Sequence, residues 1–225
     1  MEPITGNLLA INQQIGQAAR VAKRDPAEII LIAASKTQSS DVIKQAYDAG
    51  IRHFGENYLD EAVEKRRNLD LADLTWHFIG RIQSNKTKLI AQCFDWVHTV
   101  DRFKIAKRLS DQRTGSPLNI LIQVNIDADP AKGGVAKDEV ASLVKDIESL
   151  PNLNLRGLMT ILDRTSEPAS SYQSMAQLFA EIKTDQQSDA PWDTLSMGMS
   201  GDMAEAIAAG ATQVRIGTAL FGPRN

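Results

Sequence analysis

The feature that most restricts the fold is an alternation repeated eight times. Short runs rich in β-branched and aromatic residues fall at 29–36, 51–54, 76–79, 96–100, 119–125, 155–160, 194–199 and 213–216, and a helical segment separates each from the next. Parallel strands need a crossover of this kind, because a tight hairpin can only join antiparallel ones. A doubly wound open sheet would also alternate, but eight units preceded by an extra helix fit a closed parallel barrel better. That first helix places Ile4, Leu8, Ile11, Ile15 and Ala19 on one face and should end before Pro26. The helix opening at Ser40 reads as capped there and closed by Gly50. No Pro/Ser/Gly-rich linker interrupts the pattern, so residues 1–225 read as a single (β/α)8 domain.

Composition narrows the function classes. Hydrophobic residues make up 43% of the chain and charged residues 24%, enough to bury a core and too apolar for disorder. With a net charge of −3 and dispersed basic residues, no nucleic-acid footprint is expected. Lys65, Arg66 and Arg67 follow Glu61 and Glu64, which reads as a solvated helix face with an i,i+4 pair. The single cysteine, Cys93, excludes an internal disulfide and reads as a small buried hydrophobe. His53, His77 and His98 show no metal-ligand spacing, so no metal is expected. No run reaches the roughly 18 apolar residues of a membrane span, and the N-terminus lacks a signal-peptide pattern. A soluble, reduced, cytoplasmic protein with no membrane partner is expected.

In a barrel of this kind, active groups gather at the C-terminal ends of the strands. Those ends carry Lys36, Glu56 and Asn57, Gln83 to Asn85, Asp101, Asn125, Thr160, Ser200 and Thr218. Polar residues are ordinary in loops, so local features must raise some above the rest. After the seventh strand, Ser200 and Gly201 lead into a helix start, where backbone N–H groups and the helix dipole favour an anion. Ser200 also reads simply as the N-cap of that helix. On the eighth strand, Val214 and Ile216 share one face, which turns Arg215 and Gly217 to the other. An inward Arg215 needs a buried partner, and Gly217 lets backbone N–H groups come close to an anion. Loops after strands seven and eight are the usual phosphate position in this fold.

Lys36 gains meaning from that site. Alone, a strand-end lysine is usually solvated. Facing a phosphate site with an arginine nearby, it becomes a candidate for imine formation. That chemistry needs the neutral amine, and burial beside a cation lowers a lysine from its reference of about 10.4.

Several motifs then carry a resemblance. Ala34-Ser35-Lys36, His53-Phe54-Gly55-Glu56-Asn57-Tyr58, Trp76-His77-Phe78-Ile79-Gly80 with Gln83-Ser84-Asn85-Lys86, Arg156-Gly157-Leu158-Met159, Gly198-Met199-Ser200 and Val214-Arg215-Ile216-Gly217-Thr218 occur in order. By this set the chain resembles the YggS/PROSC family of pyridoxal 5′-phosphate (PLP) homeostasis proteins, nearly end to end. The resemblance implies a barrel like the N-terminal domain of alanine racemase (fold type III), with PLP held as a Schiff base on Lys36. It implies phosphate contacts from Ser200, Gly201, Gly217 and Thr218, Arg215 at the pyridine nitrogen, and Asn57, His77 and Met159 around the ring. It further implies PLP-accepting enzymes as partners, and no established catalytic residues. Arg81 stands where relatives often have proline, and Ala131 where they have serine before Lys132.

A fold type III racemase or lyase is the rival reading. Arg215 beside the pyridine nitrogen disfavours ring protonation and weakens PLP as an electron sink. A racemase supplies a second base from an added β-domain, and the sequence ends at Asn225 just after the barrel closes. Tyr58 and Tyr172 are the in-chain substitutes, and both read as packed helix residues. An aldolase-type lyase using Lys36 without PLP is a third class. No exposed apolar heptad stands out, so a monomer is expected. The balance favours a PLP carrier and regulator over an enzyme.

Overall fold

The computed structural model describes residues 2–69, 71, 73–163, 165–185 and 191–223. Strands β1 (Ile30–Ala34), β2 (His53–Glu56), β3 (Thr75–Phe78), β4 (Trp96–Val100), β5 (Leu118–Gln123), β6 (Leu153–Met159), β7 (Thr194–Ser196) and β8 (Gln213–Ile216) close in sequence order into one parallel barrel. β8 returns to β1 with Ile32 opposite Arg215, which seals the sheet. The expected closed form is therefore the observed one.

Helices α1 (Glu2–Val21), α2 (Ser40–Asp48), α3 (Leu59–Asn68), α4 (Thr87–Cys93), α5 (Phe103–Gln112), α6 (Val140–Glu148), α7 (Pro168–Asp185) and α8 (Met203–Ala208) precede or connect the strands, and a single turn, α9 (Thr218–Phe221), follows β8. The expected α1 face is the buried one: Ile4, Ile11, Ile15 and Ala19 are covered and Leu8 packs beside them, against α8 and α9. Polar groups fix its place as well. Asn7 donates to the Leu220 carbonyl at 2.9 Å, and Arg24 donates to the Ile207 and Ala211 carbonyls at the end of α8.

Apolar burial divides in two. Most of it lies between the strands and the helices. A smaller cluster of Trp96, Leu121 and Met159 is separate from that shell and fills the barrel interior.

Several boundaries differ from expectation, for local reasons. β1 is only partly buried, and Lys36 lies two residues beyond it rather than on it. Ser39, not Ser40, caps α2, its side chain accepting from the Val42 N–H. β2 runs on to Glu56, because a buried salt bridge retains that carboxylate inside the sheet. β7 stops at Ser196, and two residues on Gly198 adopts a φ of 96°, outside extended geometry. Asp202 rather than Ser200 holds the N-cap position of α8, and its carboxylate turns back to accept the Met199 N–H at 2.6 Å instead of capping a helical N–H.

Candidate functional site

A cavity of about 400 Å³ opens at the C-terminal end of the barrel. Its wall brings together Lys36, Asn57, Ser200, Gly201, Arg215, Gly217 and Thr218 from four separate strand ends. Ala34, Gln38, Ile79, Ile161, Met199, Phe221 and Gly222 complete it, and none of these was expected as a site residue from sequence. His77 and Met159 do not line it. Both are fully buried within the barrel, His77 stacked on Trp96 at 5.7 Å and Met159 beside Trp96 and Leu121.

The Lys36 segment is held from both sides. The Ser35 N–H donates to the Gly55 carbonyl, and its hydroxyl donates to Glu56 Oε1 at 2.6 Å. On the far side, the Thr37 N–H donates to Glu61 Oε1, with Thr37 at a φ of 67°. Lys65 joins these anchors. Its ammonium donates to the Ser35 carbonyl, Glu56 Oε1 and Glu61 Oε1, using all three of its protons. Lys65 is thus buried, and the solvated helix face expected for it is corrected, because Glu56 is buried against the strand and draws the ammonium in. Burial pushes the Glu56 carboxyl up, and the Lys65 charge together with hydrogen bonds from Lys65 and Ser35 pulls it partly back.

Asn57 owes its place to Gly80. A Cβ at residue 80 would lie 1.9 Å from the Asn57 carbonyl oxygen, so only glycine lets the two segments meet. The Asn57 side-chain oxygen is buried without a hydrogen-bond partner among the described residues. Gly217 is similarly tight, since a Cβ there would approach the Ala34 carbonyl to 3.2 Å.

Arg215 has the buried partners its inward position requires. Its guanidinium donates to Ser196 Oγ and to the Thr160 carbonyl, each at 2.7 Å. Thr160 is fixed in turn by its hydroxyl donating to the Val124 carbonyl at 2.9 Å. Tyr172 lies behind this group, fully buried and within electrostatic reach of Asp202 and Arg215. Burial and the Asp202 charge push the Tyr172 phenol up. Tyr172 therefore packs as expected, whereas Tyr58 is 58% exposed and does not.

The remaining strand-end residues serve other ends. Gln83 lines a neighbouring cavity with Arg81, Tyr58 and Lys86. Asp101 pairs with Arg102, and Asn125 bonds the Asp129 backbone in both directions. Lys132 reaches the Ile161 carbonyl at the cavity rim, at 3.1 Å. Cys93 is partly buried against the core. No described residues form a cluster of three or more His, Cys, Asp or Glu able to hold a metal, and no described helix is long and apolar enough to cross a membrane.

Residues 7–225 match the family model for the alanine racemase N-terminal domain. The pyridoxal phosphate homeostasis protein of Pseudomonas aeruginosa is 48% identical over 227 residues, which cover 100% of this chain and 97% of that protein. This chain belongs to the pyridoxal phosphate homeostasis (YggS) family. Solved structures share the fold. PipY of Synechococcus elongatus is 34% identical in its structure without PLP, with a TM-score of 0.86 over 97% of this chain and 100% of that one. A second PipY structure, with PLP bound, is 33% identical over the same shares, with a TM-score of 0.84. Alanine racemase from Corynebacterium glutamicum shares the fold alone: 15% identity and a TM-score of 0.73 over 99% of this chain and 61% of that one.

Proposed function

We propose that this chain binds PLP in the cavity at the barrel mouth and acts as a carrier and regulator of intracellular PLP. The observation that carries the reading is the convergence of Lys36, Asn57, Arg215 and the 200–201 and 217–218 backbone on one cavity. The residues fit the group. Lys36 brings a primary amine for an aldehyde, Arg215 a cation for the ring nitrogen, and Asn57 a buried oxygen without a partner among the described residues for a donor. Two glycines and the start of α9 give backbone N–H groups access to a phosphate. PLP supplies the electron-accepting ring; Lys36 holds it, its amine taking the aldehyde carbon as a Schiff base and releasing one water.

Two observations support carriage over catalysis. Arg215 keeps its charge at neutral pH and so opposes protonation of a ring nitrogen beside it. Tyr172, the in-chain candidate for a second base, is not part of the cavity wall, and burial with the Asp202 charge pushes its phenol up, against the basic form. His77 and Met159, placed deeper in the barrel, act on the ring only through the residues above them. PLP-accepting enzymes are the proposed partners, with no nucleic acid or membrane involved, for a cytoplasmic monomer whose single barrel domain is the binding unit.

An amino-acid racemase or lyase of the same fold is the alternative. Incubating PLP-loaded protein with each amino-acid enantiomer in deuterated water separates the two. The carrier reading expects α-proton exchange no faster than with free PLP. Catalytic turnover of exchange would establish the enzyme reading instead.

A further inference from the structure

Beneath the cavity, three histidines from consecutive strands form a continuous chain. His53 Nδ1 lies 3.0 Å from His77 Nε2, and His77 Nδ1 lies 2.9 Å from His98 Nε2. His98 Nδ1 lies 3.0 Å from Ser196 Oγ, which also accepts from Arg215. His53 stands at the start of β2, half-buried, beside a cavity on the N-terminal side of the barrel. His77 and His98 are fully buried, and burial holds both imidazoles well below their usual range, His98 further through the Arg215 charge.

The donor inventory orients this chain. A guanidinium only donates, so Ser196 Oγ accepts from Arg215 and has one proton to give. His98 Nδ1 is the partner within reach, so it accepts. A neutral imidazole with one nitrogen accepting must donate from the other. His98 Nε2–H therefore donates to His77 Nδ1, and His77 Nε2–H donates to His53 Nδ1. The last proton, on His53 Nε2, faces the opposite end of the barrel from Lys36. Reversing the chain would leave the Ser196 proton buried without an acceptor, which disfavours that direction by on the order of tenfold (~1.4 kcal/mol).

We infer that His98, His77 and His53 are positioning residues for Arg215: a one-way hydrogen-bond chain that takes the Ser196 proton, turns the Ser196 lone pair to the guanidinium and so fixes Arg215 under the cavity. The inference rests on the PLP reading only for what Arg215 faces. Each bond in the series polarises the next, so the seat of Arg215 depends on a residue at the far face. None of the three histidines lines the cavity, as a positioning role requires.

Long-range nitrogen–proton NMR on histidine-labelled protein tests the orientation without any ligand. All three rings are expected as neutral Nε2–H tautomers at neutral pH. An Nδ1–H tautomer at His77 or His98 in the unaltered protein would overturn the inference. His53→Phe removes the terminal acceptor and should shift the His77 and His98 tautomers. It should also weaken PLP binding about tenfold while leaving inorganic phosphate affinity unchanged, and His53→Gln should restore both. Unchanged tautomers and unchanged PLP affinity in His53→Phe would equally defeat it. Failure of the unaltered protein to bind PLP would sink the proposed function, with the tautomer result standing apart.

Discussion

Lys65 is a residue whose loss should be poorly tolerated. Its ammonium is the counter-charge for the fully buried Glu56 and also ties Glu61 to the segment around Lys36. Removing one partner of a buried pair leaves an uncompensated charge, which costs far more than the pair itself contributes. Lys65→Met should therefore lower stability by about 3–5 kcal/mol. Urea unfolding measures this, and a loss under about 1 kcal/mol, the scale of a surface pair, would contradict it. The histidines give a second residue-level expectation. His77 and His98 have folded values below the ordinary 6.5, so the unfolded chain binds more protons there. Their stabilisation is complete above that value and is lost as pH falls below it, at about 1.4 kcal/mol per pH unit for each. Glu56, raised by burial, works in the opposite sense, against these two and the half-buried His53, which burial also lowers. Unfolding free energies at pH 7.5 and 5.5 check the sign; stability that stays flat or rises on acidification would refute it.

At the scale of elements, pattern and structure agree where hydrophobic periodicity alone sets the element. β4 and β8 fall where their runs predict, and the apolar face of α1 is the one that packs. Agreement fails where a charge or a glycine decides. Gly55 and Glu56 look like loop residues, and pairing to β1 and β3, with Lys65 as counter-ion for the buried carboxylate, keeps them in β2. Gly80 looks like a turn residue, although its function is to let the Asn57 backbone approach. The histidine chain was hidden for a different reason. His53, His77 and His98 are separated by 24 and 21 residues, about one β–α unit each, and metal-ligand spacing is the wrong ruler for them. Register in the barrel is what brings them together, with Gly55 opposite His77 and His77 opposite Trp96.

For the whole molecule, closure of the barrel is what turns scattered polar residues into a site. Lys36 and Arg215 are far apart in sequence, and the β1–β8 seam sets their strands side by side. The inward direction of Arg215 and its need for a partner were legible from alternation on β8. The identities of that partner, Ser196, and of the clamp on Lys36 were not, because both depend on contacts across the barrel. The proposed carriage of PLP requires Lys36 to hold it at this seam. Its most direct test is the visible absorption of the purified protein after loading with PLP, compared with Lys36→Ala. A yellow protein with a Schiff-base band that Lys36→Ala loses is the expected result. A colourless loaded protein, or a band retained in the variant, would contradict it.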